Sequence, residues 1–220
     1  MSLPDPGSTK RTKVKRVPRK TVHSREAAYA ILDEALIAHI AIIGKHGEPR
    51  CLPCTYVRDG DRLLLHGSRA SQLFRGIAAG ATVCVAVTLL DGVVYAPSFF
   101  DSSLNYRSVV IYGTGRVVPE ADLTSMLLLF SERIMPGRGV DARGPNEREL
   151  AQTMMVEIPL DECSVKISKK TGGEDLSDPA VPCWTGVLPL RLAASPPIEA
   201  PEVTLAHPVP DYLTARFQQS

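Results

Sequence analysis

LPCTYVRDGDRLLLHGSRASQLFRGIAAGATVCVAVTLLDGVVYAPSFFDSSLNYRSVVIYGTGR, residues Leu52 to Arg116, is the stretch whose reading decides the fold. It holds strand-like runs rich in β-branched and aromatic residues, broken by two polar clusters, His66-Gly67-Ser68 and Asn105-Tyr106-Arg107-Ser108. Each cluster sits where an apolar strand pattern stops or starts, where binding groups are commonly carried, and both are expected to face one ligand. Asp59-Gly60 is a strong hairpin signal, so Cys51–Arg58 and Arg62–His66 read as neighbouring strands of a meander. From Ser68 to Gly80 the spacing becomes helical, with Leu73, Phe74 and Ile77 on one face, Ser68 or Ser71 as the cap and Gly80 at the end. Thr82–Thr88 is a buried strand, and Val93–Ala96 is its continuation or its partner beyond Asp91-Gly92. A long strand then starts at Arg107 and runs to Val118. Its Gly113-Thr114-Gly115 has neither a following helix nor a third glycine, which excludes a dinucleotide loop; a bulge or bend accounts for it.

Outward from this stretch, Ser24 caps a short amphipathic helix carrying Ala28, Ile31, Leu32, Ala35 and Leu36. His39–Gly44 is a strand, and His46–Pro49 is turn chemistry. Downstream, Pro119–Met135 is an amphipathic helix with acids at its start, Pro145–Thr153 a further helix, and Met154–Ile158 and Cys163–Ser168 two short strands. Beyond Lys169 the chain turns polar, then proline-rich, and residues 195–220 show no core pattern. About six or seven strands and three or four helices without strict alternation predict a mainly β architecture, an antiparallel Greek-key barrel with appended helices. The expected organisation is a basic arm over 1–20, one barrel domain over 21–195 and a proline-rich tail over 196–220.

At 220 residues the chain suits one substantial core. Its formal charge of +1 gives no global electrostatic argument for nucleic acid. The first 20 residues hold seven basic residues against the acid Asp5, net +6, which leaves −5 for the remainder. With Pro4, Pro6, Gly7 and Pro18 and no apolar periodicity, this segment is expected to be a solvated, mobile arm, and nucleic acid is not expected as a partner. No apolar run reaches the length of a membrane helix, and the protein is expected to be cytoplasmic. Five cysteines, an odd number without paired CxxC sets, indicate neither a disulfide framework nor a zinc site. Cys51 and Cys54 read as small buried hydrophobes.

No hydrolase, metalloprotease or phosphate-loop motif is present, and the five histidines share no ligand spacing, so no metal site is expected. A cofactor site remains. A phosphate needs positive charge and converging donors, which Arg107 and Ser108 offer at one strand start and His66, Ser68, Ser71 and Arg75 at a strand-to-helix junction. The competing readings are helix capping for Ser68 and Ser71, a surface ion pair for Arg107 and a satisfied buried imidazole for His66. A flavin ring asks for a flat apolar slot and a strand edge able to pair with its pyrimidine side. Leu52–Tyr56 suits such an edge, since Pro53 removes one N–H. Trp184, the one tryptophan, either caps such a site, in its own or a second subunit, or packs onto its own core.

The segments LPCTYV, LLLHGS, VCVAVT, NYRSVVIYGTGRVV, KISKKTGGEDL and WTGVLPL, in this order, resemble the pyridoxamine 5′-phosphate oxidase-related flavin-nucleotide-binding proteins, a group that includes nitroimidazole-resistance reductases. The resemblance covers roughly Ser24 to Leu192. It implies an FMN-binding split β-barrel, built as a homodimer with FMN at the subunit interface. It places His66, Gly67 and Ser68 near the flavin and phosphate, and Asn105, Tyr106, Arg107 and Ser108 in the strand closing the pocket. Pro53, Cys54 and Thr55 fall along the ring, and Trp184 in the segment reaching the site. The basic substrate-phosphate motif of the vitamin-specific oxidases is absent; Lys166-Ile-Ser-Lys-Lys170 stands in its place. The expected function is an FMN-dependent oxidoreductase acting on a small organic substrate, with Tyr106 and His66 as candidates for proton delivery. A non-catalytic flavin carrier or sensor is the alternative, and deazaflavin or haem in place of FMN stays open.

Overall fold

The structure, a computed structural model, describes residues 3–173, 182–201 and 208–218. Two antiparallel sheets enclose the core. The larger contains β1 (Thr21–Val22), β2 (Ile37–Ile43), β3 (Pro49–Thr55), β6 (Thr82–Tyr95), β7 (Ser103–Thr114), β10 (Glu162–Ser168) and β11 (Gly186–Pro189). Its path is β1-β10-β7-β6-β2-β3, with β11 paired to β6. The smaller runs β4-β5-β9-β8, from β4 (Val57–Asp59), β5 (Arg62–Ser68), β8 (Arg116–Val117) and β9 (Thr153–Pro159). The helices are α1 (Arg25–Glu34), α2 (Gln72–Ala78), α3 (Glu120–Ile134), α4 (Glu147–Gln152) and α5 (Asp211–Gln218). The expected mainly β, antiparallel barrel with appended helices is what the chain forms.

Period-two alternation decides which side of each strand is buried. Ala38, Ile40 and Ile42 of β2 and Val83, Val85 and Val87 of β6 point inward and meet Val109, Ile111 and Val165. Leu63 and Leu65 of β5 and Val156 and Ile158 of β9 close the same core from the smaller sheet. Leu64, between them, faces the other way into a second cluster with Val57, Val118, Met155 and Leu123 and Phe130 of α3. The Leu63-Leu64-Leu65 run is thus apolar throughout because both faces of β5 are covered. Fully burying each such side chain stabilises the fold by about 1.5–3 kcal/mol. Tyr56 marks where the chain crosses from one sheet to the other; it is buried, and its hydroxyl donates to the Leu32 carbonyl at 2.8 Å. Ser24 caps α1 as expected, accepting from the Ala27 N–H.

Of the two readings of Val93–Ala96, the continuation holds: β6 runs through Asp91-Gly92 to Tyr95 with a register shift between Leu90 and Gly92. Other elements differ from expectation. β7 starts at Ser103, and Asn105–Ser108 lie within the strand rather than at its start. Ser71 occupies the N-cap position of α2 without a side-chain capping bond, and the Ser68 hydroxyl accepts from the Ala70 N–H instead. The basic N-terminal segment does not stand free in solvent. Gly7 N–H donates to the Cys163 carbonyl at 2.8 Å, Arg11 pairs with Glu162 over the Tyr112 ring, and Thr12 is 3% exposed. The tail contains α5, which the composition did not show; Tyr212 donates to Asp141 at 2.9 Å. No described helix is long and apolar enough to cross a membrane.

Candidate functional site

The two polar clusters end up in different sheets. His66, Gly67 and Ser68 close β5, whereas Tyr106, Arg107 and Ser108 pair with Ser168–Lys166 of β10, and Asn105–Ser108 all pair with β6. Neither of the cavities that Arg75 and Arg107 line contains a residue of the other cluster.

Arg107, expected to present free charge to a phosphate, is already engaged. Its guanidinium donates to both oxygens of Asp91 at 2.8–3.1 Å and to both oxygens of Glu34 at 2.5 and 2.8 Å. The bulge supplies the reason: it projects Asp91 from β6 onto the neighbouring strand, while α1 ends with Glu34 over the same spot. These bonds raise the Arg107 pKa and, from Arg107, lower that of Glu34. Asn105 is also committed, its amide donating to the Lys170 carbonyl and its oxygen accepting from the Lys170 N–H. Ser108 lies opposite Lys166 and Thr88 in the sheet. Tyr106 is half-buried, with the Lys20 ammonium 5.4 Å over its ring.

Of the other cluster, Arg75 lines a cavity of about 680 Å³ between α2 and the β2–β3 hairpin. Lys45, His46, Arg50 and Gln72 line it too, with Ile42 and Ile43 as apolar wall. Arg50 is paired with Glu48 at 2.6 Å. β3, carrying Pro53, Cys54 and Thr55, ends the sheet, and most of its side chains are exposed. Cys54 is half-buried, and burial pushes its thiol pKa up. Cationic donors, an apolar wall and a strand edge beside them are what a flavin phosphate and ring require. Here Arg75, Lys45 and the edge of β3 fit the group. Gly67 is needed for packing: a Cβ there would lie 2.5 Å from the Phe74 ring. His66 is exposed at the end of β5 yet meets Phe130 edge-on with centroids 4.5 Å apart, and desolvation on that packed side pushes its pKa down, which favours the neutral imidazole. Trp184 is exposed and tilts against Tyr95, centroids 5.8 Å apart.

The sequence reading did not single out a second basic cavity, of about 690 Å³, lined by Arg19, Lys20, Asp101, Lys169 and Lys170. The signal available was the pair of lysines after CSVKIS and the pair Arg19-Lys20 before the first strand; only the β1–β10 register, Thr21 opposite Lys166, joins them. No cluster of three or more metal-binding side chains occurs among the described residues.

The family model for pyridoxamine 5′-phosphate oxidase matches residues 24–167. No curated protein matches the chain. Among solved structures, the FAD and heme binding protein from Mycobacterium smegmatis is 34% identical, covering 90% of this chain and 97% of its own, with a TM-score of 0.85. The flavocytochrome Anf3 from Azotobacter vinelandii is 31% identical, covering 97% and 99%, with a TM-score of 0.89. A 5-nitroimidazole antibiotic resistance protein from Bacteroides thetaiotaomicron, 16% identical over 67% of this chain and 86% of its own with a TM-score of 0.58, shares the fold. The match over most of the barrel, together with the split-barrel topology, establishes that the chain belongs to the pyridoxamine 5′-phosphate oxidase family.

Proposed function

We propose that this chain is a flavin-dependent redox protein that also holds haem, and that it works as a homodimer. The observation that carries this is identity above 30% along nearly the whole chain to two proteins described as an FAD and heme binding protein and a flavocytochrome. Those descriptions favour FAD over the FMN expected from the sequence, and haem becomes an addition to the flavin rather than a substitute for it.

The flavin, when bound, supplies the electron chemistry. Lys45 and Arg75 would neutralise its phosphates, and the outer edge of β3 would pair with its ring. For haem, His66 is the best-suited iron ligand among the described histidines. Its lowered pKa favours the neutral imidazole, and its ring packs on Phe130 with Met155 opposite it on β9. His23, by contrast, is tied through Nδ1 to the Pro6 carbonyl. Ile43, Leu52, Leu90 and Trp184 leave apolar area exposed that a second copy would cover.

A carrier without turnover is the second reading. It is favoured because neither candidate proton donor lies beside Arg75: Tyr106 is in β7 and His66 faces α3. The test is the absorption spectrum of the purified protein, mass identification of what denaturation releases, and its mass in solution. FAD with haem in a particle of two chains is the expected result; a chain that co-purifies with neither overturns the proposal. Oxidation of NADH or NADPH faster than by free flavin separates an enzyme from a carrier.

A further inference from the structure

The basic cavity beside the N-terminal segment has no part in the reading above. Val17, with a left-handed φ of 54°, leads into a single 3-10 turn, Pro18–Lys20, that delivers Arg19 and Lys20 to the edge of β10. Lys169 and Lys170 follow the end of that strand and line the same space. Asn105 locks the Lys170 backbone, and the Lys170 ammonium donates to the Asp101 carbonyl at 3.0 Å. Asp101 is the one acid among the lining residues described, against four cations, and its carboxylate accepts from the Ser98 hydroxyl at 2.6 Å. Among the described residues none of these four cations enters an ion pair.

Holding like charges together raises their energy unless an anion sits among them. The Lys20 pKa reflects that strain: it is lowered first by burial and then by Lys170, Lys166 and Arg19. A second observation lies in the adjoining 360 Å³ cavity, which shares Lys169 and Lys170. Ser168 lines it, is 1% exposed, and its Oγ has no hydrogen-bond partner. An orphaned buried hydroxyl is costly unless a ligand completes it. The apolar wall of Val22, Ala96 and Ile167 gives the larger cavity a surface on which a flat ring can lie.

We propose that this cavity is a binding site for a diphosphate ester of nucleotide size, separate from the flavin. Arg19, Lys20, Lys169 and Lys170 hold the phosphates, and the Ser168 hydroxyl donates to an oxygen at the inner end. The inference stands independently of the proposed flavin and haem content. The diphosphate of FAD is the competing occupant of these cations, and the experiment separates it from a diffusible nucleotide.

The test is calorimetric titration of the protein as purified with ADP and with inorganic pyrophosphate, at two salt concentrations. A Lys20→Met/Lys169→Met double variant is compared with Arg133→Met/Arg148→Met, which removes equal charge from α3 and α4. ADP is expected to bind, more weakly as salt rises. The first variant is expected to lose at least tenfold in affinity with its flavin content unchanged, and the second to match the wild type. Ser168→Ala, which deletes the orphaned hydroxyl without burying new volume, is expected to weaken ADP severalfold and to leave the ligand-free protein at least as heat-stable. No binding of either probe, equal loss in both double variants, or loss of flavin from the Lys20→Met/Lys169→Met protein overturns the proposal.

Discussion

Arg107→Met tests whether the guanidinium in β7 serves the fold or the cofactor. Methionine keeps most of the side-chain volume and deletes all five donors. The Asp91 contacts are the better shielded, with the Asp91 side chain 32% exposed, while Glu34 is 53% exposed and screened by water. Hydrogen bonds to charged groups contribute about 1.5–3 kcal/mol where shielded, and exposed pairs about 0.2–1 kcal/mol. The expected loss is therefore about 2 kcal/mol, or about 6 °C in Tm for a chain of this size, read by thermal or urea unfolding at pH 7. Its pH dependence follows from the shifts. Arg107 lowers the Glu34 pKa, so that contribution is complete above the ordinary glutamate value and is lost as the pH falls through the depressed one. The raised Arg107 pKa puts its own loss of charge at strongly alkaline pH, beyond the assay. The stability gap between wild type and variant should hold from neutral pH down to about 4.5 and narrow below it. Flavin bound per chain should be unchanged. A variant as stable as wild type, or a gap that widens on acidification, refutes the structural role; loss of flavin from a folded variant restores the phosphate role that the sequence suggested.

Three further outcomes are expected. His66→Ala should lose the Soret band that the proposed haem gives and keep the flavin bands; a Soret band retained from wild type to variant refutes His66 as the iron ligand. Tyr56→Phe should cost about 1–2 kcal/mol in urea unfolding, because the buried Leu32 carbonyl loses its 2.8 Å donor; unchanged stability would show that the carbonyl finds another partner. Gly67→Ala should cost about 1–3 kcal/mol, since the new methyl would stand 2.5 Å from a Phe74 ring that is itself buried; a neutral result would mean that the ring moves aside freely.

What could be read from the sequence, and what could not, divides along one physical line. The strands and helices that build the core announce themselves through periodicity, because burial is a local demand on every second or every third to fourth residue. Leu63-Leu64-Leu65, the Ser24 cap and the Asp59-Gly60 hairpin were legible for that reason. For Arg107 the ion pair stood beside the phosphate reading and the sequence did not decide between them, because its partners, Glu34 and Asp91, lie 73 and 16 residues away. One of them reaches it only because β6 takes a bulge where a turn was equally consistent with Asp91-Gly92. The lysine-lined cavity was illegible for a similar reason: Lys20 and Lys170 meet through the pairing of β1, a two-residue strand at the end of the seven-stranded sheet, with β10. Edge pairings and bulges leave the hydrophobic pattern of the neighbouring strands intact whichever way they form. Nothing in that pattern penalises the alternatives. Charge groupings that depend on edges and bulges can thus change along a lineage without disturbing the core, which is where a shared barrel has room to acquire different anionic ligands.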